Sequence, residues 1–502
     1  MRNKGLLCLL FFLTGLGSAF SQTVSKTKHL PKYAASVLRD DFQLLRKILE
    51  ANHPSLYWYT PKDSMDYFFD QTLNSLTDSL DEVQFKNKVG WVVSKIRCGH
   101  TTVRFSRRFT KNSSGYRYPS FPLYLKAWND SLVVLANLLP GDSTLKRGTI
   151  ITGINGYSNR ALLDTLFRFI GSDGYAFNYK NQVVSGNFPA WYKTIIGLDS
   201  VYTIQYVDST GKNAIARLSN YMPPTQKDTG LQNKSRQIQP RPGRKMRLQN
   251  LRNLVIDTSL HTAFMHLSTF SGGGLRSFFR RSFKTLSKLS ITNLVIDLRE
   301  NGGGKVTSSV LLGRYLSDHP FKVGDTIAAI SRKFHYGRYI HPSILYWLGM
   351  NFGAHKESDG LIHFRRYETK FFQPDKKFHF DGQVILVQGG YSFSAATMFI
   401  AELKGQKNVI IAGEESGGGY YGNSAMYLPT IRLPHTGLRI DLPMYRLVMD
   451  KNRPKGRGIE PDLLIPPSSF AIRKGFDPKM QVIKEWIREG RLGKTPDTRK
   501  PG

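Results

Sequence analysis

The sequence predicts an α/β multidomain protein with a helical N-terminal part, a β-rich middle and a C-terminal α/β part. Three patterns carry this prediction. Apolar residues recur at helical spacing from residue 30 to about 97, as in Leu38, Phe42, Leu45, Ile48 and Leu49. Between 121 and 220, short β-branched runs are separated by turn residues. Beyond residue 251, strand-like and helix-like runs alternate, with glycines at the ends of the strand-like runs. An open α/β layout of this kind places ligands at the carboxyl ends of its strands.

The chain has 502 residues, enough for two to four domains. Its 71 Lys and Arg against 37 Asp and Glu give a formal charge of +34. That surface favours anionic partners such as an envelope surface, a polyanion or an acidic substrate. Residues 1–21 have the form of a signal peptide. A basic start (Met1-Arg2-Asn3-Lys4) precedes the apolar run Gly5 to Leu16, too short to span a bilayer, and then the small residues Gly17-Ser18-Ala19. The expected location is exported, in a periplasm or outside the cell. Cys8 leaves with the signal, so the mature chain keeps Cys98 alone and has no internal disulfide. No metal-binding spacing is present, and no metal or organic cofactor is expected.

Residues 30–110 read as the helical N-terminal domain. Met65, Phe68, Phe69, Leu73 and Leu76 give a second helix, and Val83 to Ile96 a third. Gly99 is the expected helix stop and Thr101 to Phe105 the expected strand. His100 then sits on a helix-to-strand corner, from which its ring can reach a cleft; the plain alternative is a surface or capping histidine. In 121–220, Phe121 to Leu125 and Leu132 to Ala136 flank Asn129-Asp130 as a hairpin. The pattern Gly148-Thr149-Ile150-Ile151-Thr152-Gly153-Ile154-Asn155-Gly156 resembles the central strands of a PDZ-like module, which binds an extended peptide as an added strand. The alternative is any small β-rich domain with a glycine turn. Residues 222–250, rich in Pro, Gln, Lys and Arg, read as a basic linker. Exposed charge there attracts anionic surfaces, screened over roughly 8 Å at physiological salt. Arg276, Arg280, Arg281 and Lys284 lie on a helix pattern whose Phe278, Phe279 and Phe283 form its buried face, so specific nucleic-acid binding is not expected.

Residues 251–470 form the α/β part, followed by a C-terminal helix and basic tail in 471–502. Leu294 to Arg299 is a strand that runs into Glu300-Asn301-Gly302-Gly303-Gly304, where three glycines let the backbone turn with N–H groups exposed. A phosphate cradle is the rival reading, but neither G-x-G-x-x-G nor a G-K-S/T ending is present. Gln383 to Gln388 is a buried strand and Ala395 to Leu403 a helix. Between them, Gly389-Gly390-Tyr391-Ser392-Phe393-Ser394 turns sharply. That turn exposes a hydroxyl beside helix N–H groups able to stabilise an oxyanion; an ordinary N-cap serine is the plain alternative.

In this order, Cys98-Gly99-His100-Thr101, Gly148 to Gly156, Asp297 to Gly304, Tyr391 to Ala396, Gly413-Glu414-Glu415 and Gly458-Ile459-Glu460-Pro461-Asp462 resemble the tail-specific or C-terminal-processing serine peptidases, which include the tricorn core. Each stretch is weak alone; the ordered set is specific and spans nearly the whole mature chain. The resemblance implies a ClpP/crotonase-like catalytic domain with Ser394 as nucleophile. It also implies an oxyanion hole from the backbone N–H groups of Gly303 and Ala395. The Ser-Lys branch carries a lysine late in the loop that begins Gly-Glu, where this chain has Gly419; Lys404 and Lys407 lie too far along the next helix. A serine hydroxyl needs an adjacent base. The tricorn-like branch uses a histidine that His100 matches, which makes His100 the general base. Glu414 is the candidate acidic support, or a residue that only shapes its loop.

The expected function is an exported serine endopeptidase acting on unfolded or C-terminal peptide segments, with a peptide or unfolded protein as substrate. The alternative is a catalytically inactive peptide-binding protein on the same scaffold. A third class, a basic polyanion- or envelope-binding protein, explains the charge but not the glycine turn or the S-x-S element. Oligomeric state and cleavage preference are not encoded in these patterns.

Overall fold

Strand Gln383–Gln388, which leads to the serine turn, is an inner strand of a six-stranded sheet in the computed structural model. The structure describes residues 31–113, 118–223, 243–342 and 354–491. The sheet order is Arg252–Asp257, Thr262–Leu267, Asn293–Asp297, Gln383–Gln388, Val409–Gly413 and Leu463–Leu464. The first pair is antiparallel and every later pair parallel. Val295 pairs with Ile385, and Ile385 with Ile410, so β-branched residues line up across the sheet.

Both faces of these strands are buried, which is why they read as unbroken apolar runs. Leu294, Ile296, Val384 and Leu386 join the larger core, shared with helices Leu275–Lys288 and Ala395–Leu403. Val295, Ile385 and Val387 pack on the other face with Ile483 of helix Pro478–Arg488. That helix opens on Asp477, which accepts from Lys479 N–H (3.0 Å) and Met480 N–H (3.2 Å), with Pro478 at its first position.

Helices Ala35–Asn52, Lys62–Asn74 and Glu82–Lys95 occupy the N-terminal segment as their periodicity predicts. Their apolar faces join the same core as the large sheet rather than a core of their own. A reciprocal Asp81–Gln84 capping box starts the third helix. The helix stop differs from expectation: Arg97 takes the left-handed conformation (φ +57°), not Gly99. The expected strand shortens to Val103–Arg104, because its pairing is limited to Arg439–Asp441 of a second, four-stranded sheet.

The middle segment forms a separate antiparallel sheet in the order Leu123–Trp128, Ser131–Asn137, Ile150–Ile154, Val201–Val207 and Asn213–Ser219, with its own buried core around Phe121, Tyr192 and Tyr202. Asn129 and Asp130 both adopt positive φ at the predicted hairpin. Helices Phe177–Gly186 and Phe188–Ile195 were not legible in this segment. The first buries Asn181, Gln182 and Ser185 beside Val184, a polar face that only tertiary contacts select.

Part of the segment read as a linker, Arg244–Leu251, is an exposed helix that runs into strand Arg252–Asp257. The rest of that linker from residue 224, the signal peptide and the basic tail from residue 492 lie outside the described residues. Among the described residues, no helix is long and apolar enough to cross a membrane.

Candidate active site

The turn after Gln388 is built from close approaches that exclude larger side chains. A Cβ on Gly390 would fall against Gln182 and the Asn178 carbonyl. Ser392 is fully buried; its hydroxyl donates to Leu298 O (2.8 Å) and accepts from Gly389 N–H (3.1 Å). Its carbonyl accepts from the N–H groups of Gly417 and Gly418 and from the Thr397 hydroxyl. The first serine of the S-x-S element is therefore a brace.

Ser394 differs in every respect. It is half-buried, at φ +55° and ψ −123°, and its side chain makes no capping hydrogen bond. A non-glycine residue held at such angles stores strain and persists only where its surroundings fix it. Here Phe393 N–H donates to Asn301 O (3.0 Å), and Met398 N–H donates to Ser394 O (3.0 Å). The hydroxyl is thus aimed by the backbone and not used for capping.

The glycine turn lies directly against Ser394. Gly303 has φ +97°, and a Cβ built there would stand 2.7 Å from Ser394 Cβ and 2.9 Å from Ala395 N. Ala395 N–H, at the start of helix Ala395–Leu403, therefore shares this space, where the helix dipole favours negative charge. The Gly303 N–H itself donates to Asn301 Oδ1 (2.9 Å). In this state Asn301, fully buried, holds the turn through that bond and through its carbonyl.

His100, from the N-terminal part, packs against Phe393, the residue before Ser394. Its arm is fixed by Thr101 N–H to Cys98 O (3.2 Å) and by Asp441 N–H to Thr102 O (3.0 Å). The imidazole lies 4.7 Å from the Phe393 ring, which in turn stacks on Tyr179 at 4.9 Å. Burial pushes the His100 pKa down to about 4, so the ring is neutral at physiological pH. Among the described residues, its buried Nδ1 has no hydrogen-bond partner.

Two further assignments resolve differently. Glu414 pairs with Lys479 Nζ (3.0 Å), and its carbonyl accepts from the Gln388 side chain (3.0 Å). It lines a cleft of about 500 Å³ that neither Ser394 nor His100 lines, so its carboxylate anchors the C-terminal helix rather than the imidazole. The same cleft contains Arg299, bridged to Asp297 and Asp477.

The lysine position of the Ser-Lys branch is closed. A Cβ on Gly419 would meet Gly422 O at 2.5 Å. Lys404 is held by Asp462 (2.8 Å) and the Glu460 carbonyl, and Lys407 is exposed. What the sequence did not single out is Asp173, fully buried, whose two oxygens accept from Gly99 N–H (2.9 Å) and Gly419 N–H (3.3 Å). Its surroundings, Gly171-Ser172-Asp173-Gly174, signal a tight turn but not its partners.

Residues 261–465 match the model of peptidase family S41. None of the curated proteins matches the sequence. Among solved structures, the chain is similar to mature CPAF, with 14% identity, a TM-score of 0.62 and coverage of 92% of this chain and 99% of that one. Mature CPAF complexed with lactacystin gives 13% identity and a TM-score of 0.60, covering 91% of this chain and 99% of that one. The photosystem II D1 C-terminal processing protease is more distant: 14% identity, a TM-score of 0.37, and coverage of 86% and 93%. The part of the chain that holds the strained serine and the glycine turn, residues 261–465, thus matches peptidase family S41, the tail-specific or C-terminal-processing serine peptidases.

Proposed function

We propose that this serine peptidase is an exported endopeptidase of the tricorn-like type, with Ser394 as nucleophile and His100 as general base, acting on unfolded or C-terminal peptide segments. The observation that carries the reading is Ser394, strained and uncapped, with the ring of the adjoining Phe393 against His100. His100 takes the Ser394 hydroxyl proton as Oγ bonds to the substrate carbonyl carbon. The negative oxygen of the tetrahedral intermediate faces Ala395 N–H and the glycine turn. As the C–N bond breaks, His100 returns the proton to the leaving amine. Water then repeats the cycle on the acyl-enzyme, freeing Ser394. Export is supported by the form of residues 1–21.

A fluorophosphonate probe tests this reading, because it labels only an activated serine. The wild-type chain is expected to label and Ser394→Ala to remain unlabelled. An unlabelled, folded wild-type chain would favour the non-catalytic peptide-binding alternative. That alternative has one observation in its favour: among the described residues, no hydrogen bond joins the Ser394 hydroxyl to His100.

The middle sheet is proposed as a PDZ-like substrate-capture module, with a constraint on where a peptide can add. The edge strand Leu123–Trp128 is covered by helix Phe177–Gly186, whose Ser185 hydroxyl accepts from Ala127 N–H (2.8 Å). Among the described residues, the opposite edge, Asn213–Ser219, pairs only with Val201–Val207, and its Ile215 is 66% exposed. Strand addition there gives backbone hydrogen bonds and a place for apolar side chains. Ile215→Asp is expected to raise KM several-fold on a long unfolded substrate and leave hydrolysis of a short peptide unchanged. An equal effect on both substrates would remove this edge from substrate capture.

A further inference from the structure

We propose that Asp173 is the positioning carboxylate of the catalytic histidine, fixing the His100 peptide and stabilising the imidazolium that forms when the ring takes the Ser394 proton. This rests on the reading of Ser394 and His100 given above.

A carboxylate oxygen of Asp173, a ring nitrogen of His100 and Cys98 Sγ all lie within 4.8 Å of one another. Asp173 accepts from the N–H of Gly99, the residue bonded to His100, and so orients the peptide that carries the ring. Its other oxygen accepts from Gly419 N–H, in the glycine loop whose Gly418 N–H donates to Ser392 O. One side chain therefore ties the histidine arm to the serine turn. Both positions are crowded: a Cβ on Gly99 would stand 2.6 Å from the Phe393 ring, and one on Gly419 would stand 2.5 Å from Gly422 O.

The titratable groups around the pair support this role. Cys98, Tyr59 and Tyr179 interact with Asp173, and burial pushes the thiol up to about 12 and both phenols upward. All three are neutral at physiological pH. Burial also pushes Asp173 up to about 7, against the lowering effect of its two amides, and pushes His100 down to about 4. Each group alone resists charge; an imidazolium beside a carboxylate relieves both penalties. No proton need reach Asp173 for it to act. The same three side chains could be read as ligands for a soft divalent cation. However, Cys98 already interacts with the amides of His100 and Thr101, and both oxygens of Asp173 are committed to amides.

The test is Asp173→Asn in the full chain, assayed on a short peptide from pH 4 to 9 with a thermal melt alongside. Turnover should fall by about a hundred-fold or more, with KM little changed. The wild-type rate should rise through an inflection near 7, the Asp173 pKa, and that inflection should vanish in the variant. Adding Asp173→Asn to His100→Ala should cost nothing further. A folded variant that keeps the wild-type rate or the inflection overturns the proposal. So does wild-type activity that a chelator abolishes and Zn²⁺ restores.

Should the variant fail to fold, ¹⁵N-histidine spectra of the fluorophosphonate-inhibited wild-type chain give the answer. The His100 imidazolium should persist above the ordinary histidine pKa, and a value at or below it counts against Asp173. If His100→Ala keeps wild-type turnover, the base assignment itself fails. If His100→Ala is inactive while Asp173→Asn is fully active, only the Asp173 role fails.

Discussion

Ser394→Ala and His100→Ala are each expected to abolish peptide hydrolysis to a similar degree, with the double variant no worse than either. Groups that act as one unit are non-additive, and losing one member can cost on the order of a million-fold in turnover. The expectation follows from the geometry around the two side chains. Gly419 cannot carry the lysine of the other family branch, since Gly422 O occupies the space. Lys404 is tied to Asp462, and Lys407 faces solvent. Lys407→Met should therefore leave turnover unchanged.

The pH dependence separates the two bases. With its pKa held near 4 by burial, His100 stays a neutral base below the Asp173 inflection near 7, and the activity that remains there is lost as the imidazole protonates near 4. A lysine base would instead push the active range alkaline. Full activity in His100→Ala beside an inactive Ser394→Ala would remove His100 from the mechanism while leaving the serine in place.

Gly303→Ala is expected to inactivate the enzyme and to destabilise it. At φ +97° an alanine is strained, by roughly 1–2 kcal/mol in left-handed backbone. The added methyl would stand 2.7 Å from Ser394 Cβ and 2.8 Å from Phe393 O, and overpacking of this kind costs about 1–3 kcal/mol. If the turn moves to relieve that contact, the intermediate loses its donors, and losing one such donor costs about 10²–10³ in kcat. Loss of kcat beyond what the melt explains is the result to look for. Gly302→Ala provides the comparison: no atom lies within 4 Å of its Cβ position, so its melting temperature should stay close to wild type. A Gly303→Ala chain with wild-type kcat would show that the turn does not approach the reacting centre.

Much of this arrangement is legible along the chain because it is local. Val384 to Val387 is apolar without alternation because the strand is buried on both faces, and its helix partner follows after one turn. The spacing of Leu38, Phe42, Leu45 and Leu49 sets the first helix, and Asn129-Asp130 sets the hairpin, since helical stripes and positive-φ turns depend on near neighbours. The two serines of the S-x-S element could be named from sequence. Their division of labour could not, because the Ser392 hydroxyl braces the turn by donating to Leu298 O, nearly a hundred residues earlier.

The remaining differences share one physical cause: they depend on pairs far apart in sequence. Glu414 looked available for His100 until Lys479 of the C-terminal helix packed against it. Helix Phe177–Gly186 has a weak apolar stripe of its own and is fixed by Tyr391, which donates to Gln182 O, and by Asn178, which donates to Glu415 O. Asp173 is a turn residue by sequence and a buried acceptor in the fold, because Gly99 and Gly419 bring their N–H groups to it from opposite ends of the chain. The sequence by itself determined the resemblance to peptidase family S41, the sharp turn at Ser394 and the place of His100 just after the third helix. Only the tertiary structure decided which carboxylate stands beside that histidine, because its hydrogen-bond partners lie 74 and 246 residues away.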